Sequence, residues 1–440
     1  MCSIAGSKSK EEVEKMLSKM AHRAPDDEGI VENGIWLGMG RLAIIDLTSS
    51  GLCPIQYRDK TLVFNGELYN YIEVREELIK LNHKFNTESD SEVLLKAYYE
   101  WGEKCLDKLN FMGAFAISDG QQIFLARDIA GEKPLYFQLN PFRFASEAKA
   151  LNFECIEFPP AHYAIYDIKK DTINIKQWWA APQQETYKGS FEDALLKLDA
   201  LLADAVKLRT KADVPFGLYY SQGIDSTLIS TYYDFEYKFT YKDGNFEKEF
   251  REIFPKILWH LDYPVNSFSP FGLWKLAENA SKKVKVVLSG EGADELFGGY
   301  VRYVSNEFNR LAREEFPSYQ EMHPYKDMMT EEFNGNLREL LRMNDRMSSA
   351  FGIESRCPFL DRRIIEFAIS LPIEWKIKGF ETKVILRRLL EKRKPDYKDI
   401  EKKGLFCSVN KWIGAENEGF GKQSYLKLQN EIFSKYSAST

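Results

Sequence analysis

The chain has 440 residues, and at about 150 residues per domain this length predicts two or three domains. Hydrophobic residues make up 44% and charged residues 29%, which excludes a mostly disordered or collagen-like chain. The 60 Lys and Arg against 66 Asp and Glu give a formal charge of -6, so no broad basic surface for nucleic acid or anionic lipid is expected.

The sequence also limits location and metal content. No stretch approaches the ~18 uninterrupted apolar residues of a membrane span, and the N-terminus lacks the basic and apolar regions of a signal peptide. We therefore expect a cytoplasmic protein. The cysteines form no C-x-x-C pair and are expected to be reduced thiols, and the histidines show no zinc-ligand spacing.

Short apolar runs alternate with turns between Trp36 and Phe144, which predicts strands, several of them in hairpins. The runs are WLGMG, RLAIID, LVFNG, GAFAISD, QQIFLARD, PLYFQL and FRFAS. Helical spacing predicts helices over residues 69–81 and 91–109, with Ser89 or Asp90 as the cap of the second. The first half is therefore predicted to be strand-rich with helices packed on it.

Residues 177–190 mix proline, glycine and polar residues without periodicity, which predicts a linker between domains 1–185 and 186–440. Beyond it, a long helical pattern covers residues 191–209, and the apolar runs PFGLYY and VKVVLSG are each followed by a glycine-bearing loop. Repeated strand, loop and helix predicts a parallel α/β sheet, in which ligands lie beyond the C-terminal ends of the strands.

Cys2 is the first candidate catalytic residue. Its small side chain is compatible with removal of the initiator methionine by an aminopeptidase, which would leave Cys2 with a free α-amine. An α-amine of pKa ~8 beside a thiol of pKa ~8.5 lets one residue supply both nucleophile and proton acceptor. A lone Cys2 would instead be interpreted as an incidental buried cysteine.

Other polar residues of the first half suit a free amino acid. Arg41 can bind a carboxylate with two hydrogen bonds, and Asn65 can stabilise a tetrahedral oxyanion. Glu67 or Asp90 can meet an ammonium group. Each alone could be a turn residue, a helix cap or part of a surface ion pair, but together they favour a functional site.

Two strand-end loops are candidates in the second half. SQGIDST, residues 221–227, can direct backbone N–H groups at phosphates, with Asp225 near Mg²⁺ and the Ser221 and Ser226 hydroxyls as donors. LSGEGADELFGGY, residues 288–300, adds the carboxylates of Glu291, Asp294 and Glu295. The alternatives are an ordinary turn with an N-cap serine and an acidic helix start, and repetition of the loop favours function.

The first half resembles the class II glutamine amidotransferase domain of glutamine-hydrolysing asparagine synthetases. The motifs that carry the resemblance are MCSIAG, HRAPDDEG, GRLAIIDL, FNGELYN, SDSEV, MGAFAISD, ARDIAGEKPLYF and FASEAKAL. The resemblance implies an N-terminal-nucleophile fold, an αββα sandwich, in which Cys2 attacks the amide of glutamine. It also implies that Arg41 binds the glutamine carboxylate. Asn65 and Gly66 would form the oxyanion hole, and Glu67 with Asp90 would hold the α-amino group.

The second half resembles the synthetase domain of the same family, an ATP-pyrophosphatase domain of the adenine nucleotide alpha hydrolase-like type. SQGIDST is similar to its SGGxDS loop, and SGEGADELFGGY, NDRMSSAFGIESRCPFLD, KVILRR and EKKGLF are similar to its later motifs. The resemblance implies that a carboxylate, aspartate in this family, attacks the α-phosphate of ATP in the presence of Mg²⁺. Ammonia then displaces AMP, and a homodimer is the family's usual assembly.

The resemblance assigns roles to individual residues of this half. Asp225 and Asp294 would bind Mg²⁺, Glu291 would act as a base, and Lys402 or Lys403 would stabilise the adenylation transition state. The implied ATP contacts are Tyr220, Ser221, Gly223, Asp225, Ser226, Tyr241, Ser289 and Gly290. We interpret Arg356 and Asp361 as a structural ion pair that shapes the wall of the site.

Two departures from the family pattern leave alternatives open. Gln222 stands where the loop usually has glycine, and a side chain there disfavours positive φ and close approach of phosphate. The segment between Ser221 and Ser289 is also shorter than usual. One alternative is the same chemistry on another carboxylate, such as a sugar acid or a secondary metabolite. Another is a glutaminase or glutamine-binding regulatory protein with an impaired synthetase domain.

Overall fold

The fold is that of a computed structural model, which describes residues 1–48, 51, 53–181, 186–242, 244–265, 267–300, 303, 325–398, 409–413 and 422–437. Among these residues no helix combines the length and the apolar character needed to cross a membrane. The five cysteines in the same ranges are all free thiols.

Two six-stranded antiparallel sheets form the first half of the chain. Its strands are β1 (Ser3–Ser7), β2 (Asp27–Asn33), β3 (Ile35–Arg41), β4 (Ile55–Tyr57), β5 (Lys60–Leu68), β6 (Phe111–Ser118), β7 (Gln122–Arg127), β8 (Tyr136–Gln138), β9 (Arg143–Ala145), β10 (Ile156–Glu157), β11 (His162–Asp167) and β12 (Thr172–Gln177). One sheet has the order β10-β8-β9-β1-β3-β2, and the other has the order β12-β11-β7-β6-β5-β4.

Helices cover the outer faces of the two sheets. Helix α1 (Lys10–Lys19) packs on β1 and β3, whereas α2 (Tyr71–Lys80) packs on α3 (Asp90–Trp101), which contacts β5. Between the sheets lies a core of alternate apolar residues, including Ile4, Leu37 and Val63, because successive strand residues face opposite sides. The predicted αββα sandwich is confirmed.

The second half is built on a four-stranded parallel sheet of order β14-β13-β15-β16, as predicted. Its strands are β13 (Phe216–Tyr219), β14 (Tyr237–Phe239), β15 (Val286–Leu288) and β16 (Glu354–Arg356). Its helices are α4 (Phe191–Arg209), α5 (Ile224–Ser230), α6 (Glu247–Leu261), α7 (Ser269–Ala280), α8 (Ala293–Phe297), α9 (Tyr325–Asn334), α10 (Asn336–Ser349), α11 (Arg362–Ser370), α12 (Val384–Arg393), α13 (Val409–Trp412) and α14 (Lys422–Ser437). Since β13 and β15 are parallel neighbours, the loops that follow them lie at one edge of the sheet.

Local sequence explains where several helices begin and end. The predicted helix over 191–209 has those bounds, because Ser190 and Asp193 form a reciprocal capping box at its start. Ser89 caps α3 by accepting a hydrogen bond from the Ser91 amide at 3.2 Å. That helix was predicted to reach residue 109 but ends at Trp101, since Gly102 adopts a φ of 57° and a 3₁₀ helix follows.

One strand prediction is wrong in part. The run RLAIID was expected to be a strand, but β3 ends at Arg41 and no strand follows over residues 42–46. The Arg41 guanidinium donates hydrogen bonds to the carbonyls of Ile45, Asp46 and Thr48, at 2.8 Å for Thr48. Residues 42–48 therefore form a turn around the buried Arg41 guanidinium and do not extend the strand.

Buried ion pairs join the two halves. Arg23 Nη1 lies 2.9 Å from Asp345 Oδ2 on α10, and Arg346 Nη1 lies 2.8 Å from Glu147 Oε1. All four side chains are 2% exposed or less. Removing one member would leave an unpaired buried charge, so these contacts fix how the halves meet.

Candidate active sites

The first candidate site is a small pocket of about 40 Å³ that contains Cys2. The predicted residues Arg41, Gly66, Glu67 and Asp90 also line it. They come from different elements, β3, β5 and the start of α3, which tertiary folding brings to one place. Among the wall residues that sequence reasoning missed is Glu354, which belongs to β16 in the other half of the chain.

Cys2 is buried at the beginning of β1. Its thiol lies 3.9 Å from the Leu42 carbonyl oxygen, which accepts the S–H, and burial raises the pKa of the thiol. Met1 precedes it and is fully buried, and burial lowers the pKa of its α-amine to about 5. An amine with a pKa this low is neutral at pH 7 and can accept a proton.

Asn65 lies in β5 with its side chain fully buried. Within the described part of the chain, neither the Nδ2 nor the Oδ1 atom of its amide has a hydrogen-bond partner. Buried polar groups in native proteins are nearly always paired, and an exception points to a function that supplies the partner. Asn65 is not among the residues that line the Cys2 pocket, whereas its neighbours Phe64 and Gly66 are.

Gly66 follows Asn65 in the same strand and is required by close packing. A Cβ at this position would collide with the backbone of Met112 and Gly113 on the neighbouring strand β6. Glycine therefore allows β5 and β6 to approach closely beside the pocket.

Glu67 and Asp90 are buried carboxyl groups that both line the pocket. Glu67 Oε2 accepts a hydrogen bond from Arg356 Nη2 at 2.9 Å, while Glu67 Oε1 is buried with no hydrogen-bond partner among the described residues. Asp90 Oδ2 accepts from the Leu68 amide at 2.9 Å, and burial raises the pKa of Asp90 to about 6. Two buried carboxyl groups with an open oxygen form a site suited to an ammonium group.

The prediction that Arg356 pairs with Asp361 is wrong. Arg356 instead contacts Glu67 and Glu354, the latter at 2.7 Å. Asp361 contacts Arg209 at 3.0 Å and Arg363 at 2.8 Å. Arg356 is the last residue of β16, so its side chain reaches toward the first half, whereas Asp361 caps α11.

The second candidate site lies at the shared edge of β13 and β15. Asp225 and Asp294 are brought together there, because Lys383 Nζ lies 2.6 Å from Asp225 Oδ1 and 2.8 Å from Asp294 Oδ1. The sequence contained Lys383 within the KVILRR motif but gave it no role. Only the fold places it between the two carboxylates.

Gly290 allows the two loops to approach each other. A Cβ at Gly290 would lie 2.9 Å from the Cβ of Asp225, closer than real Cβ atoms come. Ser289 follows β15 and its hydroxyl accepts from the Asn344 amide at 3.3 Å, while the Glu291 amide donates to the same hydroxyl at 3.4 Å. The predicted residues of the two loops thus form one site.

The first loop is a turn held by hydrogen bonds of its two serines. The Ser221 and Ser226 hydroxyls lie 3.1 Å apart, and the Gly223 amide donates to Ser221 Oγ at 3.3 Å. Gln222 adopts a φ of 64°, the conformation usually reserved for glycine, and the Tyr397 hydroxyl donates to its carbonyl at 3.2 Å. The loop therefore tolerates glutamine where glycine was expected.

Two aromatic residues lie near this edge. The Tyr220 amide donates to the Phe239 carbonyl at 2.8 Å, which continues the pairing of β13 with β14. Tyr241 follows β14 and its ring centroid lies 6.5 Å from that of Phe246. The two residues that the resemblance assigns to the nucleotide thus follow β13 and β14, which are neighbours in the sheet.

Lys402 and Lys403, the predicted transition-state residues, lie outside the described residues. Within the described ranges no cluster of three or more His, Cys, Asp or Glu side chains could hold a metal ion by itself. The pair Asp225 and Asp294 nevertheless fits Mg²⁺, which commonly binds one or two carboxylates and completes its shell with substrate phosphates and water.

Comparison with known proteins agrees with this division of sites. Residues 1–179 match the family described as a glutamine amidotransferase domain, and residues 197–241 and 246–419 match asparagine synthase. The fold and the two sites thus define a protein that joins a glutamine amidotransferase domain to an asparagine synthase domain.

Relatives that match most of the chain are glutamine-hydrolyzing asparagine synthetases. Glutamine-hydrolyzing asparagine synthetase 1 of Bacillus subtilis is 28% identical, over 98% of this chain and 89% of that protein. The glutamine-hydrolyzing asparagine synthetase of Brassica oleracea is 30% identical, over 90% of this chain and 74% of that protein. Glutamine-hydrolyzing asparagine synthetase 3 of Arabidopsis thaliana is 31% identical, over 86% of this chain and 72% of that protein. The chain belongs to the family of glutamine-hydrolysing asparagine synthetases.

Proposed function

We propose that this chain is an ATP-dependent amidotransferase that converts aspartate to asparagine with nitrogen taken from glutamine. The observation that carries the proposal is the unpaired, buried amide of Asn65 in the strand that lines the Cys2 pocket. A buried hydrogen-bond donor without a partner among the described residues, directly before the pocket-lining Gly66, is what amide hydrolysis needs, since charge develops on the carbonyl oxygen during attack.

Glutamine hydrolysis follows from the residues of the first pocket. Once Met1 is removed, the α-amine of Cys2 takes the thiol proton, and the sulfur attacks the side-chain amide carbon of glutamine. Asn65 and the Gly66 amide stabilise the oxyanion. As the oxyanion collapses, the α-ammonium of Cys2 returns its proton to the nitrogen, the C–N bond breaks and ammonia leaves. The remaining thioester is hydrolysed by water to glutamate and free Cys2.

Glutamine is oriented by charge. We assign its carboxylate to Arg41, whose guanidinium already holds the 45–48 turn, and its ammonium to Asp90 and the open oxygen of Glu67. Arg356 fixes Glu67 from the other half of the chain. This arrangement supports the selection of a free amino acid over an amide without charged groups.

Adenylation is assigned to the second site. An oxygen of the aspartate side-chain carboxylate attacks the α-phosphorus of ATP, and pyrophosphate leaves with the electrons of the broken P–O bond. The assigned nucleotide contacts are Tyr220, Ser221, Gly223, Ser226, Tyr241, Ser289 and Gly290. Asp225 and Asp294 would hold Mg²⁺, which when bound neutralises charge on the phosphates.

Ammonia completes the reaction at the activated carboxyl carbon. Its attack displaces AMP, and Glu291 is assigned as the base that removes the extra proton from nitrogen. Lys402 or Lys403 would stabilise the adenylation transition state. Ammonia must pass inside the protein, because in neutral water it becomes ammonium, which has no lone pair for attack. We also propose the domain division 1–185 and 186–440 and a cytoplasmic location.

The experiment that tests the proposal is AMP and pyrophosphate release with aspartate, ATP and Mg²⁺, using glutamine and then ammonia as the nitrogen donor. Asparagine identified by mass is the expected product. Cys2→Ala should stop glutamate release and retain synthesis from ammonia, whereas Asp294→Asn should stop AMP release and retain glutamate release. Glutamate release without AMP for any donor would reject the synthetase assignment.

A further inference from the structure

The turn over residues 42–48 connects the first pocket to the second half of the chain. Leu42 and Ile44 line the pocket, and the Leu42 carbonyl accepts the S–H of Cys2. The Arg41 guanidinium, which we assign to the glutamine carboxylate, donates to three carbonyls of the same turn. The position of this turn therefore sets where the carboxylate end of the pocket lies.

Asp213, in the segment between α4 and β13, holds the middle of this turn. The Asp46 amide donates to Asp213 Oδ2 at 2.9 Å, and the Asp213 amide donates to the Ile44 carbonyl at 2.9 Å. The Asp46 carbonyl in turn accepts from the Arg41 guanidinium. A path of two hydrogen bonds thus runs from Asp213, in the second half of the chain, through Asp46 to the guanidinium.

Asp46 also connects the two ends of the pocket. Its φ is 53°, in the left-handed region that short polar side chains enter more readily than most others. Its carboxylate accepts from the Thr48 amide at 3.2 Å and from the Glu88 amide at 3.3 Å. Glu88 lies two residues before Asp90, the residue assigned to the glutamine ammonium. A shift of Asp46 would therefore disturb the carboxylate end first and the ammonium end through Glu88.

A second contact with the same turn comes from the start of β15. Lys285 directly precedes that strand, and its Nζ lies 2.8 Å from Asp26 Oδ2, which also accepts from the Ala43 amide at 2.8 Å. Ile44 packs with Val286, the first residue of β15, in a small apolar cluster. The turn is thus held at the N-terminal ends of β13 and β15, the strands whose C-terminal ends lead into the second candidate site.

We propose that Asp213 is a positioning residue for glutamine, which acts through Asp46 to hold Arg41 where the glutamine carboxylate binds. The inference rests on the proposed function, since it takes Arg41 as the carboxylate-binding group. Asp213 is exposed and does not line the pocket, so its effect passes through the turn and not through contact with substrate. Loss of its hydrogen bond should weaken glutamine binding by a moderate factor and not abolish it.

Steady-state glutamate release by the full-length protein tests the inference. Asp213→Ala should raise the KM for glutamine by about three- to tenfold and change kcat by less than about twofold, because the nucleophile belongs to a different element. Asp213→Asn retains a side-chain oxygen that can accept from the Asp46 amide, so its KM should stay within about twofold of the parent. Asp204→Ala is the matched control, since Asp204 is a half-exposed aspartate of the same half that pairs with Arg363.

A ligand without a carboxylate separates positioning of Arg41 from a general loosening of the pocket. γ-Aminobutyramide is glutamine without its α-carboxylate, so its binding does not depend on Arg41. Its inhibition constant as a competitor of glutamine should be equal in the parent and in Asp213→Ala. A pocket loosened as a whole would instead weaken glutamine and γ-aminobutyramide by the same factor.

Three results would overturn the inference: an unchanged KM for glutamine in Asp213→Ala, an equal rise in Asp213→Asn, or equal weakening of glutamine and γ-aminobutyramide. Failure of the proposed function has a different signature. If the parent releases no glutamate, calorimetric titration with L-glutamine still tests Asp213, and weaker binding in Asp213→Ala than in Asp213→Asn would retain the positioning role. A parent that neither hydrolyses nor binds glutamine would overturn both.

Discussion

Arg356 Nη2 lies 2.9 Å from Glu67 Oε2, an ion pair between residues 289 positions apart in the chain. Glu67 lines the pocket of Cys2, while the Arg356 carbonyl accepts from the Ser289 amide at 2.9 Å in the second site. One residue of β16 thus touches both candidate sites. Its position gives the two half-reactions a direct physical connection.

Arg356→Met should therefore affect stability and glutamine binding together. The variant leaves Glu67 and Glu354 buried without their cation, which costs about 3–5 kcal/mol in the free energy of unfolding. We also expect a higher KM for glutamine, because Glu67 becomes protonated or turns away. Urea unfolding and glutamate release measure the two effects, with Arg388→Met as a control at a half-exposed pair. A loss of stability below about 1 kcal/mol would contradict the assigned burial of this pair.

Asn65→Ala should separate catalysis from stability. Loss of one oxyanion donor is expected to lower kcat for glutamate release by about 10²–10³-fold. The free energy of unfolding should not fall by the cost of a lost hydrogen bond, since the amide of Asn65 has no partner among the described residues. Asn174→Ala on exposed β12 is the matched control. Retained kcat in Asn65→Ala would remove Asn65 from the oxyanion hole.

Glutamine hydrolysis should depend on the ionisation of Asp90. Burial raises the pKa of Asp90 to about 6, so the carboxylate gains a proton as pH falls through that value. The neutral form cannot hold the glutamine ammonium, and kcat/KM for glutamine should therefore fall below pH ~6. Asp90→Asn should have low activity at every pH and lose this transition. An unchanged acid limb in that variant would assign it to another group.

Lys383→Met tests the second site. The ammonium of Lys383 lies between Asp225 and Asp294, and its removal leaves two facing carboxylates without their cation. We expect AMP release to fall by about 10²-fold or more, because adenylation depends on positioned positive charge, while glutamate release continues. The exposed Lys378→Met provides a control for the loss of a nearby charge. Normal AMP release in Lys383→Met would exclude this lysine from the site.

Gln222→Gly should have only a small effect. Gln222 already has a φ of 64° and an exposed side chain, so the loop has the shape that glycine would give. Relief of the strained φ, about 1 kcal/mol, is offset by the greater freedom of glycine in the unfolded chain. The KM for ATP should stay within about threefold of the parent, and Gln222→Ala should agree. A gain of tenfold or more in affinity would mean that the glutamine side chain obstructs phosphate.

Much of the fold and of the first site could be predicted from the sequence. The bounds of helix α4 are predictable from periodicity and capping, because Ser190 and Asp193, three positions apart, form the capping box at its start. Motif residues such as Cys2, Arg41 and Asp90 are recognisable from the sequence alone, and one pocket gathers them. These features are local, so residue type and spacing carry the information.

Contacts between distant residues were decided by the tertiary structure alone. Arg356 was expected beside Asp361, five positions away, but packs against Glu67 because β16 lies at the boundary of the two halves. The position of Lys383 between Asp225 and Asp294 likewise follows from packing. Periodicity reports which face of an element is buried, and only the assembled chain decides which charges meet there.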